Sequence, residues 1–125
     1  MSEPPEIEFS VRPGCLLIHV RGREIVQNKP AVIKMIGDAI RKHQVRAALL
    51  DTREVPGPVS FMDRFQLGTL AGQHLSGLRI GVLARPDQAD PQRIGQLVAK
   101  NRGVEVEVFT DPAAADAWLK ERAQA

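Results

Sequence analysis

The side chains best suited to chemistry in this sequence are arginines and aspartates that follow apolar runs. Asp51, Thr52 and Arg53 end one such run, and Arg85 and Asp87 follow another. Open α/β sheets bind ligands beyond the carboxyl ends of their parallel strands, where helix N-termini also favour anions. Arg53 and Arg85 are therefore candidates for a shallow site that binds an anion or an acidic peptide. The alternative is that these charges solvate loops and cap helices.

Other reactive residue types lack the spacing of a catalytic or metal centre. His19, His43 and His74 do not have metal-ligand spacing, and Cys15 with His19 supplies only two ligands. The sequence contains no nucleophile elbow, phosphate loop or dinucleotide fingerprint. Asp51 at a strand end is a candidate general base, but no acid partner or nucleophile can be assigned to it. We therefore predict no metal, no cofactor and no enzymatic activity.

The composition indicates an ordinary globular domain. The chain has 125 residues, of which 43% are hydrophobic and 26% are charged, as in a single domain with its own core. Its one cysteine excludes an internal disulfide and fits a reducing compartment. We predict one domain over residues 1–125, located in the cytoplasm, with frayed ends at 1–5 and 122–125.

The charge pattern and the apolar pattern disfavour two classes of partner. The formal net charge is +2, and the arginines are interleaved with acids. Nucleic-acid binding usually needs a concentrated basic face, so we predict none. No apolar stretch approaches the roughly 20 residues needed to cross a bilayer, so we predict no membrane span.

Strand and helix patterns alternate along the chain and predict an α/β fold. The strand patterns, with strict alternation in the first and the last, are Glu6–Arg12, Cys15–Val20, Arg46–Asp51, Leu78–Ala84 and Val104–Val108. About four helices alternate with them, giving the order β-β-α-β-α-β-α-β-α. This order predicts a single mixed, mostly parallel five-stranded sheet with helices on its faces. The tight turn at Pro13-Gly14 makes the first strand antiparallel to the second. We expect the first and last strands at the edges.

Capping residues and prolines mark where the predicted helices begin. The starts are Asn28-Lys29-Pro30, Ser60, Asp90-Pro91 and Asp111-Pro112. Ser60 and Asp63 resemble a capping box, with aspartate at the position of glutamate or glutamine. In the helix after Asp90-Pro91, the predicted apolar stripe consists of Ile94, Leu97 and Val98.

The helix predicted over Phe61–Ser76 carries more apolar surface than one neighbour covers. One stripe is Phe61, Phe65, Gly68, Gly72 and Leu75, and further apolar surface comes from Met62, Leu67, Leu70, Ala71 and His74. Each glycine weakens a helix by roughly 1 kcal/mol relative to alanine, and close approach of another backbone compensates for such a loss. We predict that one face lies on the sheet and the other meets a partner, a twin subunit or an apolar ligand. The alternative is that adjoining loops and the neighbouring helix bury it.

Three segments carry a family resemblance that covers nearly the whole chain. They are ALLDTREVPGPVSFMDRFQLGTLAG, LRIGVLA and DPQRIGQLVAKNRGVEVEVFTDPAAADAWL. With the hairpin at the start, they resemble the SpoIIAA-like fold of the STAS domains of anti-sigma factor antagonists and sulphate transporters. The resemblance is closer to small stand-alone bacterial proteins described as STAS/SEC14-like. It implies a module that binds proteins, lipids or nucleotides.

One position departs from the pattern of anti-sigma factor antagonists. In those proteins an aspartate at the start of the second helix is followed by a phosphorylatable serine or threonine. Here Asp63 is followed by Arg64, which cannot be phosphorylated. We therefore predict no phosphorylation switch at this position. Thr52 and Ser60 are the nearby hydroxyls, and Ser60 is better explained as a helix cap.

Two functions remain open at this point. The first is a non-catalytic STAS-like binding or regulatory module that contacts a protein, or a second copy of itself, through Phe61, Met62, Phe65 and Leu70. The alternative is a SEC14-like carrier of a small apolar or lipid ligand, with the same helix as a lid. A carrier needs an enclosed apolar pocket of several hundred Å³. A regulatory module needs an exposed apolar patch.

Overall fold

A computed structural model describes residues 6–90 and 92–123. Of the ends predicted to be frayed, 1–5 and 122–125, residues 1–5 and 124–125 lie outside the described residues, as does Pro91, whereas residues 122–123 continue the last helix. The described elements are β1 Ile7–Arg12, β2 Cys15–Arg21, α1 Glu24–Gln27, α2 Lys29–Lys42, β3 Ala47–Glu54, α3 Phe61–His74, β4 Arg79–Leu83, α4 Ile94–Lys100, β5 Glu105–Phe109 and α5 Pro112–Ala123. A 3₁₀ turn at Pro86–Gln88 joins β4 to α4.

The strands form one sheet in the order β1-β2-β3-β4-β5. β1 pairs antiparallel with β2, and the other three pairs are parallel. Gly14 supplies the positive φ of 77° that the β1–β2 turn requires. The predicted mixed, mostly parallel five-stranded sheet with β1 and β5 at its edges is confirmed.

Three local expectations differ from the structure. The short helix α1 was not predicted; it buries Ile25 and Val26 between β2 and α2. β3 continues past Asp51 to Glu54, because Arg21 of β2 pairs with Glu54. The alternation of β1 predicted a half-buried strand, yet Val11 is 62% exposed, since β1 makes its main contacts with β2 alone.

The sheet separates two cores of unequal size. One face packs against α1 to α4 through a large aliphatic cluster that includes Leu16, Ile18, Val20, Ile36 and Ile40. The other face packs against α5 through Leu49, Leu83, Ala115 and Leu119. Alternation along the strands produces this division, because successive side chains point to opposite faces. Of the helices that the structure describes, none is long and apolar enough to cross a membrane.

Candidate functional site

A cavity of about 630 Å³ lies between one face of the sheet and the helices α3 and α4. Its walls are mostly aliphatic. They include Leu50, Ile80, Val82 and Val106 from the strands, and Ile33, Leu67, Ala71, Leu75 and Ala99 from the helices. The exposed residues of its lining, which we call the mouth, are Pro86, Ala89, Arg93, Val108 and Thr110. The mouth therefore lies at the carboxyl edge of the sheet, where the sequence placed a ligand site.

Helix α3 bounds the cavity on the side opposite the sheet. Its main contacts are with α2 and α4, and its side chains Leu67, Ala71 and Leu75 line the cavity. A methyl group added to Gly68 would lie 2.5 Å from the carbonyl oxygen of Gly95, and one added to Gly95 would lie 2.9 Å from the carbonyl oxygen of Arg64. The two helix backbones therefore touch at Gly68. Close approach, expected for Gly68, is confirmed, and the neighbour is α4 of the same chain.

Hydrogen bonds from side chains to backbone carbonyls join the start of α3 to the β4–α4 connection at the rim of the cavity. Arg64 donates from Nε to the Val59 carbonyl and from Nη2 to the Gln88 carbonyl, both at 3.1 Å. Gln88 donates from Nε2 to the carbonyls of Thr52 at 2.9 Å and Val55 at 3.2 Å. Arg64 thus fastens the start of α3 to the loop beside the mouth.

Gln96 is the polar residue that the structure buries most deeply in the cavity wall. It is 7% exposed and lies on the inward face of α4. The stripe predicted for this helix was wrong in part, because Leu97 is 50% exposed whereas Gln96 and Ala99 are buried. The crossing at Gly95 turns α4 so that the face at Gln96 and Ala99 meets the sheet.

Arg53 and Arg85 lie at the predicted edge, outside the cavity lining. Arg53 pairs with both carboxylate oxygens of Asp51, at 3.0 Å and 2.8 Å, and this hydrogen-bonded pairing lowers the pKa of Asp51. Arg85 donates to the carbonyl of Arg53 and to Asp87 at 3.1 Å. Both guanidinium groups already have internal partners, and the anion site stays a prediction.

The first turn of α3 presents apolar side chains to the outside. Phe61 and Met62 are each 57% exposed and Phe65 is 42% exposed. We call these three residues the apolar turn. Leu70 is half-buried and lines a shallow groove of about 400 Å³ together with Phe65 and Pro30. The apolar surface that the sequence predicted for this helix is thus divided between the cavity, α4 and the outside.

The hydroxyl groups near the start of α3 have structural partners. Ser60 Oγ accepts from the Asp63 amide at 3.0 Å, and Asp63 Oδ2 accepts from the Ser60 amide at 3.2 Å. The predicted capping box is confirmed. Thr52 Oγ1 donates to the Leu83 carbonyl at 3.1 Å and lines the cavity.

The histidines and the cysteine lie apart from the cavity lining. His19 contacts Glu54 across β2 and β3, and burial raises the pKa of the Cys15 thiol. His43 is exposed just after the end of α2. Within residues 6–90 and 92–123, no three His, Cys, Asp or Glu side chains are grouped so as to hold a metal ion.

The comparisons with known proteins add little beyond the fold. No family model matches the chain, and no curated protein matches it. Among solved structures, the chain is similar to an uncharacterized protein of the DUF3478 family with a SpoIIAA-like fold from Shewanella loihica PV-4. The two are 21% identical, the likeness covers 95% of this chain and 98% of that chain, and the TM-score is 0.49. No functional argument follows from a likeness of this degree.

Sequence reasoning missed the residues that shape the cavity. Gln88, Arg93 and Gln96 belong to no motif, and their positions depend on how α4 is rotated against α3. The glycines were a usable signal, because Gly68 in one predicted helix and Gly95 in another allow two backbones to meet.

Proposed function

We propose that this chain is a non-catalytic binding protein that holds a small, mostly apolar ligand in the cavity beneath α3 and α4. This is the SEC14-like carrier function that the sequence left open. The observation that carries the proposal is the cavity itself, whose volume of about 630 Å³ lies within the range of roughly 300–1,000 Å³ that is usual for small-molecule sites.

The packing of the surrounding core supports a ligand as the reason for this space. Protein interiors are close-packed, and the few voids within them rarely exceed the size of a water molecule. The core residues beside the cavity, Ile33, Leu75 and Ile80, are less than a tenth exposed. A large apolar space inside such a core sacrifices dispersion contacts, and an apolar ligand would restore them.

The non-catalytic part of the proposal rests on the polar groups around the mouth. The side chains of Arg64 and Gln88 are engaged with backbone carbonyls, and the carboxylate of Asp90 accepts from the amides of Gln92 and Ile94. These contacts hold loops and a helix start in place. They do not form the nucleophile–base hydrogen bond that covalent catalysis uses.

The proposal is tested by organic-solvent extraction of freshly purified protein, followed by mass spectrometry. We expect an apolar compound at a stoichiometric amount. The matched variants are Ala71→Phe, which fills the cavity, and Ala113→Phe, which places the same ring on the exposed start of α5. Only Ala71→Phe should lose the compound. Extraction of no compound, together with failure of the stripped protein to bind any apolar probe, would show the proposal to be wrong.

A second candidate is the protein-binding or regulatory module, which the apolar turn favours. Three large apolar side chains exposed within two turns of one helix are typical of an interaction surface. In this function Phe61, Met62 and Phe65 contact a protein partner in the cytoplasm, and the simplest partner is a second copy of the chain.

Sedimentation velocity over a wide concentration range tests this second candidate. We expect a dimer for the wild type and a monomer for the double variant Phe61→Ser, Met62→Ser. Val11→Ser is the matched control, because Val11 is equally exposed on β1. A monomeric wild type that also captures no protein from lysate through these residues would contradict it.

A further inference from the structure

The cavity wall contains a buried amide that has no partner among the described residues. Gln96 lines the cavity at 7% exposure, and its side chain makes no hydrogen bond with any described residue. In the described parts of the chain, no buried side-chain nitrogen or oxygen is sealed off without a partner. The Gln96 amide therefore reaches open space, and the open space that it lines is the cavity.

The cavity face of α4 is graded from charged to apolar. Arg93 immediately before α4, and Gln96 and Ala99 on α4, all line the cavity; the spacing of three residues places Gln96 and Ala99 on one side of the helix. Arg93 is at the mouth, whereas the Ala99 carbonyl accepts from the Val104 amide at the amino end of β5. Gln96 lies between them in the sequence, about 4.5 Å along the helix from Ala99 at the usual rise.

We propose that Gln96 is the specificity-determining residue of this cavity and that it selects single-chain amphiphiles with a carboxyl head group over pure hydrocarbons. This inference rests on the proposed function. The tail of such a ligand packs against the aliphatic side chains of the cavity wall. Its head lies beside Gln96 and points to the mouth.

The carboxyl head follows from the polar groups that remain available. The amide of Gln96 offers two N–H donors and one acceptor, and a carboxylate accepts from the donors. The charged groups that line the cavity are Arg64, Asp90 and Arg93. Arg64 and Asp90 bond to backbone groups, whereas the Arg93 guanidinium pairs with no described residue. Arg93 therefore favours a negative head at the mouth.

The cavity volume limits the length of the tail. At about 30 Å³ for each water-sized unit, 630 Å³ holds at most about 20 non-hydrogen atoms. Myristic acid fits within this limit. Myristyl alcohol has a chain of the same length with a neutral head group, and tetradecane has the chain alone. Comparing the three compounds therefore separates the effects of head-group charge, of hydrogen bonding and of the hydrocarbon chain.

The test measures displacement of the neutral fluorophore N-phenylnaphthylamine from stripped protein by these three compounds. We expect the wild type to bind myristic acid most tightly, myristyl alcohol less tightly and tetradecane least tightly. Gln96→Leu should weaken the acid and the alcohol about tenfold, the change that corresponds to about 1.4 kcal/mol, and leave the alkane unchanged or tighter. Arg93→Gln should weaken the acid several-fold and leave the alcohol unchanged. Gln73→Leu makes the same substitution at an exposed position on α3 outside the cavity and should change none of them.

Thermal unfolding of the stripped variants supplies a second measurement. Gln96→Leu removes a buried polar group that lacks a partner, so its Tm should equal or exceed that of the wild type. A fall in Tm would show that Gln96 stabilises the empty protein, and would overturn the inference. Equal binding of alcohol and alkane, unaffected by Gln96→Leu, would overturn it while the proposed cavity function stands. If none of the compounds displaces the fluorophore, the proposed function fails as well.

Discussion

The two faces of the sheet differ in whether a mostly buried polar side chain has a partner within the chain. On the α5 face, Arg79 donates to Glu105 at 3.0 Å and to the Trp118 carbonyl at 2.5 Å, and its guanidinium lies 3.7 Å from the centre of the Trp118 ring. On the α3/α4 face, the Gln96 amide has no partner among the described residues. On the α5 face, side chains and carbonyls of the chain itself satisfy the guanidinium, whereas on the α3/α4 face the amide of Gln96 faces the cavity.

Glycine has opposite uses on the two faces. Gly81 in β4 makes room for the indole of Trp118, which lies 3.5 Å from the place of a Cβ, so a side chain fills the space. Gly68 lets α3 and α4 touch backbone to backbone, and the helices then bridge the space beneath them. The same residue type therefore closes one core and holds another open.

Trp118→Ala is expected to have the largest effect on stability. The substitution removes the ring that packs on Arg79 and on Phe109, 5.6 Å away between centroids, and should lower the free energy of unfolding by about 3 kcal/mol. Urea denaturation measures the change. The affinity of the folded variant for an apolar probe should stay at the wild-type value, because Trp118 is on the other face.

Trp118→Phe is the control for that comparison. It keeps an aromatic ring and should lose less than half as much stability. If Trp118→Ala abolished probe binding under conditions where the variant is still folded, the two faces would not be independent.

Gly68→Ala is expected to have the next largest effect. The new methyl group would lie 2.5 Å from the Gly95 carbonyl oxygen, and overpacking of this kind costs roughly 1–3 kcal/mol. Because the contact is with backbone, which cannot shift cheaply, we expect a cost in the upper part of this range, and that cost exceeds the gain of about 1 kcal/mol in helix propensity. The measured free energy of unfolding should fall by about 1 kcal/mol or more, and probe affinity should change because α4 is displaced.

Gly81→Ala is the matched substitution on the α5 face. Its methyl group would meet the end of the Leu49 side chain at 3.3 Å, which can shift. We expect a smaller loss of stability and no change in probe affinity. A larger loss for Gly81→Ala than for Gly68→Ala would reverse the comparison.

The fold was largely predictable from the sequence because its signals are local. Alternation in β1 and β5, the Pro13-Gly14 turn and the Ser60–Asp63 capping box each depend on a few neighbouring residues. The order of these elements then leaves few topologies. The short helix α1 was missed, because Glu24–Gln27 is too short to show a helical period.

The candidate site was less predictable because it depends on the rotation and separation of packed helices. The stripe for α4 favoured Leu97 as the larger apolar residue, but contact at Gly95 turns Gln96 inward instead. The sequence identified Phe61–Ser76 as a helix with too much apolar surface, yet it could not say that part of that surface bounds a cavity.

Arg64→Gln is expected to loosen the rim of the cavity. It removes two hydrogen bonds from a charged donor to the carbonyls of Val59 and Gln88, so we expect a loss of about 1 kcal/mol in stability. Stopped-flow measurement should show probe dissociation several-fold faster, because the loop beside the mouth is no longer fastened to α3.

Arg53→Gln is the control, because Arg53 lies outside the cavity lining and pairs with Asp51. It should leave the dissociation rate unchanged. If Arg53→Gln weakened ligand binding as much as Arg64→Gln, the shallow anion site predicted at Arg53 and Arg85 would be the site in use.

Asp63→Asn is expected to have the smallest effect, and only in acid. Asp63 lies 2.9 Å from Lys29 Nζ at the junction of α2 and α3, and the bonds from Lys29 and the Ser60 amide lower its pKa. The folded-state pKa is therefore below the unfolded value of about 3.9, so the unfolded chain binds more protons in that range. This contribution to stability is complete above about pH 4 and decreases as the pH falls through the folded pKa. In urea denaturation at several acidic pH values, the free energy of unfolding should depend less on pH for Asp63→Asn than for the wild type. Asp38→Asn is the control, because it breaks an exposed pair with Lys34. It should reduce the pH dependence of the free energy of unfolding less than Asp63→Asn does, since solvent screens exposed pairs. An equal reduction would show that the helix junction gains nothing from its ion pair.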